Sequence, residues 1–361
     1  MLEIFIIPMA FPLAFIIVTL LYRKLTSYSI IFLLTIAVYF VGVIFWYFFV
    51  ISYGGNNNTF IFPDELTYLF GESTGFYGDI VKLIVSLGST LAVRFINVFS
   101  YTFGLLWLTT ELIHVRLNNN SSINTIKFIY VSMIAALGSY WSFFILKEGM
   151  TVLSISMYLI SYHRRNKPLK IIALILALFV RFEVAIAIIF AEIVVFLWKK
   201  SKMLLYLLLS ITIIAIILYL NMPNSEALKL SFLSRRYGES DKIYDSAAIQ
   251  TAQLGFLQFI TSYTYFETIA GNILRSLIPF YLPFSPISTP LTLFNLIGCI
   301  LVFKKFKEKR DVPTIFGVVI LLLLMGTISV PRYVTVIIIP LTIYLLLDNT
   351  KRKDIRKNTT T

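Results

Sequence analysis

The sequence is a succession of apolar runs, most of them near the length of a membrane crossing, separated by short polar interruptions that are mostly basic. A hydrocarbon layer of about 30 Å needs roughly 20 helical residues to span it. By that measure the runs at 4–22, 29–52, 80–113, 127–146, 149–162, 168–181, 183–198, 203–221, 288–303, 312–330 and 332–347 predict helices. A helix also satisfies every backbone hydrogen bond within its own segment, as a lipid environment demands. The stretch from Pro168 to Trp198 is too short for two upright crossings. Its halves are expected to be tilted half-helices that meet near Arg181. One long helix instead would invert everything downstream and strand the Lys304–Arg310 cluster on the other side.

Composition agrees with the pattern. Of 361 residues, 58% are hydrophobic and 14% charged, and the mean hydropathy is +0.85. Soluble domains carry about 25% charged residues. A soluble enzyme, a disordered chain and a disulfide scaffold are therefore excluded. Cys299 stands alone, and His114 and His163 lie in separate segments, so neither a thiolate cluster nor a histidine zinc site is expected. The sequence has no GxxxxGK[ST] loop, which argues against an ATP-driven pump subunit. Met1-Leu2-Glu3 lacks the basic start of a cleavable signal, so the first run is expected to be retained.

The net charge of +13 then acquires a direction. Most of the 31 basic residues fall in clusters between runs: Arg23-Lys24, Arg116 with Lys127, Arg164 to Lys170, Lys199 to Lys202, Lys304 to Arg310, and Lys351 to Lys357. All can share the cytoplasmic side, as the positive-inside tendency requires. The expected fold is all-α: a single integral membrane domain over 1–361, a helical bundle of about eleven crossings (roughly ten to twelve). Its N-terminus would be outside and its C-terminus cytoplasmic, with outer loops at 53–79 and 222–289 and a basic tail at 348–361.

Charges that break this rule are the candidate site, because a charge near hydrocarbon costs about 2.5–3.5 kcal/mol and normally faces a cavity or partner. Asp64 and Glu65, adjacent behind Pro63, would raise each other's pKa and so provide a base for a sugar hydroxyl; a helix-capping role is the plainer alternative. Lys147-Glu148 forms a charged tip between two runs. Arg181-Phe182-Glu183 lies within apolar sequence, where a guanidinium suits a lipid phosphate and a structural ion pair is the alternative. Arg235-Arg236 forms a basic stretch of the second outer loop. Arg332-Tyr333 heads the last run, where snorkelling to the interface explains it equally well. No metal site is implied, although the carboxylates could hold Mg²⁺ together with a diphosphate.

Pro63-Asp64-Glu65 with Tyr68, the run Trp141 to Glu148 followed by Arg181, and Arg332-Tyr333 leading to Pro340-Leu341 resemble features of bacterial polysaccharide-assembly membrane proteins. These are the Wzy-type O-antigen and capsule repeat-unit polymerases and the wider GT-C-fold glycosyltransferases. GT-C enzymes usually place the acidic loop after the first span, whereas here two runs precede it, and a counterpart of their frequent soluble C-terminal domain is not expected here. The large outer loop with its arginines favours the polymerase. The resemblance implies polymerisation of undecaprenyl-diphosphate-linked oligosaccharides at the periplasmic face of the bacterial inner membrane, with Asp64 or Glu65 as base. Arg181, Arg235, Arg236 and Arg332 would bind the diphosphate, and Lys147, Glu148, Glu183 and Tyr333 would support them. Implied partners are polyprenyl-(di)phosphate saccharides, membrane lipid, a chain-length regulator and other polysaccharide-assembly proteins, and no nucleic acid. The rival readings are a transferase using a polyprenyl-phosphate sugar and a lipid-linked oligosaccharide flippase.

Overall fold

A computed structural model describes residues 2–53, 68–69, 75–87, 90–119, 121–233, 246–277, 288–327 and 331–348. Among these, helix is the only regular secondary structure. A 3-10 segment (Leu2–Met9) leads into α1 (Ala10–Tyr22), followed by α2 (Ser27–Tyr53), α3 (Gly75–Leu87), α4 (Thr90–Asn118) and α5 (Thr125–Ser142). Next come α6 (Glu148–Arg164), α7 (Lys167–Val180), α8 (Phe182–Lys200) and α9 (Lys202–Leu220). Short helices α10 (Glu226–Leu233), α11 (Ser246–Ala252), α12 (Phe256–Thr261) and α13 (Tyr263–Leu277) precede α14 (Ser288–Glu308), α15 (Val312–Thr327) and α16 (Pro331–Leu347). Ser27–Phe45, Thr90–Asn118 and Lys202–Leu220 are long and apolar enough to cross a membrane, and shorter apolar helices cover Ile6–Tyr22, Val312–Leu324 and Tyr333–Leu347.

The polar interruptions act as helix punctuation. Asn124, Asn166 and Ser201 accept from the backbone N–H of Lys127, Leu169 and Leu204, capping α5, α7 and α9. Asp311 and Thr314 exchange backbone and side-chain bonds at the start of α15. Helices that end beside these caps carry Arg116, His163-Arg164, Lys199-Lys200 and Lys305 in their last turns, where a cation meets the partial negative charge of the helix end. Contacts join these ends into one basic face. Arg164 grips the Glu111 carboxylate in a fork, Tyr22 donates to the same carboxylate at 2.6 Å, His163 lies 3.7 Å from Asp348, and Arg310 stacks over Trp198.

The core is apolar and continuous across α1, α2, α4 to α8 and α14 to α16, with Tyr101, Tyr158, Phe144 and Phe316 fully buried in it. Among the described residues, α4 and α6 approach one another closely. A Cβ on Gly149 would lie 2.2 Å from the Asn97 carbonyl oxygen, so only glycine lets these backbones meet there. In contrast, α9 has only 6% of its apolar stretch buried within the chain.

Two expectations change. The run at 80–113 is two helices rather than one, because α3 ends at Leu87 and α4 begins at Thr90, with Gly88-Ser89 between them in sequence. The stretch 222–289, read as a loop, contains α10 to α13 around a small core of Leu233, Ala248, Ala252 and Phe259. Lys229, whose ammonium donates to the Leu254 carbonyl at 2.8 Å, is built into that unit.

Candidate functional site

Arg181 divides two helices by itself. Its φ of −152° and ψ of 91° are extended; its N–H closes the last turn of α7 on Ala177, and its carbonyl accepts from Val184 to open α8. The two helices fold back on one another as a hairpin, in the form the charge spacing predicts. Irregular backbone of this kind is stable only when protein or water meets its polar groups. The side chain is 8% exposed. Its Nη2 lies 3.7 Å from Glu148 Oε1, and its Cζ lies 4.0 Å from the centre of the Tyr333 ring. Nη1 is buried with no hydrogen-bond partner among the described residues. The partner acid is thus Glu148, on another helix, and not Glu183 two residues on.

Glu148 occupies the first turn of α6, where a helix favours negative charge. The turn that delivers it, Phe143 to Lys147, is non-helical and buried at Phe143, Phe144, Ile145 and Leu146. Each carbonyl left without a donor there would be expensive, and side chains from α3 and α4 supply the donors. Arg94 Nη1 reaches the Phe143 carbonyl at 3.0 Å, Asn97 Nδ2 the Phe144 carbonyl at 2.8 Å, and the Tyr77 hydroxyl the Leu146 carbonyl at 2.7 Å. Lys147 lies over the Tyr68 ring at 5.6 Å, and Tyr68 packs edge-on against Tyr77. Arg181, Glu183 and Glu148 are each near enough to Lys147 to act on it electrostatically.

The structure therefore brings together Lys147, Glu148, Arg181, Glu183 and Tyr333 from the expected set. Asp64, Glu65, Arg235 and Arg236 lie outside the described residues, and Arg332 is described only as the helical neighbour of Tyr333. Sequence reasoning missed Asn97 and Tyr77 and gave Arg94 no specific task. The signal was there in part: Arg94 and Asn97 are spaced for one helix face within an apolar run. Two cations and two acids thus meet here, with Arg181 over the Tyr333 ring and Lys147 over the Tyr68 ring. No group of three His, Cys, Asp or Glu side chains placed to hold a metal occurs among the described residues. No protein family, curated protein or solved structure matches the chain.

Proposed function

We propose that the protein is a multi-pass membrane glycosyltransferase that polymerises undecaprenyl-diphosphate-linked oligosaccharide repeat units for O-antigen, capsule or exopolysaccharide. In this reading the bundle crosses the bacterial inner membrane about eleven times, with its basic face in the cytoplasm. The Arg181 end then faces the periplasm or exterior. One observation carries the reading: the Arg181 guanidinium is buried, stacked on Tyr333, and has an Nη1 without a partner among the described residues. A cation fixed before the reaction stabilises charge that develops during it, because nothing must reorganise.

The reaction is a displacement at an anomeric carbon. The acceptor hydroxyl oxygen forms the new glycosidic bond while the bond from that carbon to the diphosphate oxygen breaks. The bonding pair leaves with the diphosphate, whose charge Arg181, Arg235, Arg236 and Arg332 neutralise. The hydroxyl proton passes to Asp64 or Glu65. Glu148, Glu183, Lys147 and Tyr333 hold the position and charge balance of Arg181. No step is routed through Mg²⁺, and the family resemblance alone supplies the sugar-lipid class.

The test is Arg181→Ala in cells whose surface polysaccharide depends on this chain, read as a ladder of polymer lengths. The ladder should vanish while single repeat units still reach the surface. Loss of single-unit display as well would mark a flippase. An unchanged ladder would take Arg181 out of the site and remove the basis for the proposal.

A further inference from the structure

The basic face holds a second buried guanidinium with unused donors. Arg116, in the last turn of α4, is 7% exposed, yet its Nε and Nη1 have no hydrogen-bond partner among the described residues. Buried donors left in that state are costly, more so when they are charged. The neighbouring Arg164 differs: its guanidinium is satisfied by Glu111 and Tyr22. Arg116 instead lines a small, partly open notch between the ends of α4, α6 and α16. Leu112, Leu347, Asn119, Ser121, His163 and Asp348 line it as well, and His163 lies 3.7 Å from Asp348.

A guanidinium offers a planar fork of donors that matches two oxygens of a phosphate. Basic notches between the ends of transmembrane helices take anionic headgroups by the same chemistry. The surroundings favour this further, since the notch lies on the face where Arg164, Arg165, Lys167 and Lys170 follow His163 in sequence. Asp348 in the wall limits the anion to low charge. We propose that the Arg116 notch binds a singly charged phosphate group, supplied by an anionic lipid headgroup or by free phosphate. Arg116 is the principal ligand, with the polar groups of Asn119 and Ser121 at the rim. The site is independent of the glycosyltransferase reading.

The full chain in neutral detergent is titrated with phosphatidylglycerol, with phosphatidylcholine and with inorganic phosphate at constant ionic strength, and thermal unfolding is followed. A rise in Tm with phosphatidylglycerol alone assigns the lipid headgroup, and a rise with inorganic phosphate as well assigns any phosphate monoanion. Arg116→Gln should weaken the response by about tenfold or more in apparent affinity, the loss of one charged bidentate contact. Lys127→Gln removes the same unit of charge from an exposed position on the same face and should leave the response intact. Asp348→Asn should strengthen it, an opposite sign that general destabilisation does not produce. If Arg116→Gln does not fold, Arg116→Lys, which keeps the charge but not the fork, and Asp348→Asn carry the test. The proposal is overturned by no response to either anion, by an undiminished response in Arg116→Gln, or by an equal loss in Lys127→Gln.

Discussion

Lys170 Nζ lies 2.6 Å from a carboxylate oxygen of Glu192, and each residue stands eleven positions from Arg181, one before it and one after. Equal spacing from the break means that α7 and α8 run antiparallel and in register. The Tyr158 hydroxyl donates to the same Glu192 carboxylate at 2.6 Å, tying the hairpin to α6. The break at Arg181 is thereby held from a distance, by a clasp on the far side of the hairpin.

Opening that clasp should loosen the hairpin without touching the site directly. Polar contacts between membrane helices are worth about 0.6 kcal/mol on average and reach about 1.7. Glu192→Leu should therefore lower stability by about 1–2 kcal/mol, as it strands both Lys170 and the Tyr158 hydroxyl. Lys170→Met combined with Glu192→Leu should recover part of that loss. Thermal unfolding of the single and double variants in detergent measures the coupling, and strict additivity would mean the two side chains do not hold the hairpin.

Glycine to alanine exchanges should separate close packing from open surface. A Cβ at position 149 would sit 2.2 Å from the Asn97 carbonyl oxygen and 2.8 Å from its carbon, both backbone atoms that cannot swing away. Gly149→Ala should cost about 1–3 kcal/mol as an overpacked contact, and it should tilt the turn that carries Glu148. Gly42 meets nothing within 4 Å, so Gly42→Ala should be neutral or stabilise by up to about 1 kcal/mol through helix propensity. Unfolding midpoints of both variants check the contrast, and an equal effect at the two positions would contradict the packing.

Under the proposed function, the ring of Tyr333 should matter for polymerisation. A cation over an aromatic face gains about 0.5–2 kcal/mol depending on desolvation. Replacement by Leu removes that face and should slow polymerisation by roughly two- to thirtyfold, since about 1.4 kcal/mol corresponds to a factor of ten. Tyr333→Phe keeps the face and should fall less far. Polymer formed per unit time from purified lipid-linked repeat units distinguishes them, and equal rates for Leu and Phe would detach the ring from Arg181.

Much of the bundle was legible because one solvent dominates its sequence. Runs of apolar residues locate α2, α5 to α9 and α14 to α16 within a few residues, and the run at 4–22 covers the 3-10 segment and α1 together; the caps at Asn124, Asn166, Ser201 and Asp311 were not read from the sequence. The hairpin at Arg181 followed from the length of the stretch together with the side on which the Lys304–Arg310 cluster must lie. Hydropathy could not find the division between α3 and α4, since Leu87 and Thr90 both lie within one apolar run, nor the helices of the second loop, of which α10 to α12 are short and α13 is strongly amphipathic without being an apolar run. The site was legible as charges out of place, but their pairing was not. Arg181 prefers Glu148 to the adjacent Glu183 because the turn from Phe143 to Lys147 is pinned by Tyr77, Arg94 and Asn97, a long-range arrangement with no sequence spacing of its own.

Pairing of Arg181 with Glu148 gives two separable roles to one contact, and a double variant separates them. Removing one partner of a buried ion pair leaves an uncompensated charge and costs about 3–5 kcal/mol, whereas replacing both by apolar residues of similar volume is often neutral. Glu148→Leu alone should therefore be strongly destabilising, as should Arg181→Met alone, measured by the fraction of protein surviving heating in detergent. Arg181→Met with Glu148→Leu should regain most of the lost stability. If the guanidinium serves only to join helices, this double variant will also make normal polymer. If Arg181 meets the departing diphosphate, the double variant will be stable, correctly inserted and unable to polymerise, with single repeat units still displayed. That combination, stability recovered and chain extension lost, cannot arise from a purely structural ion pair.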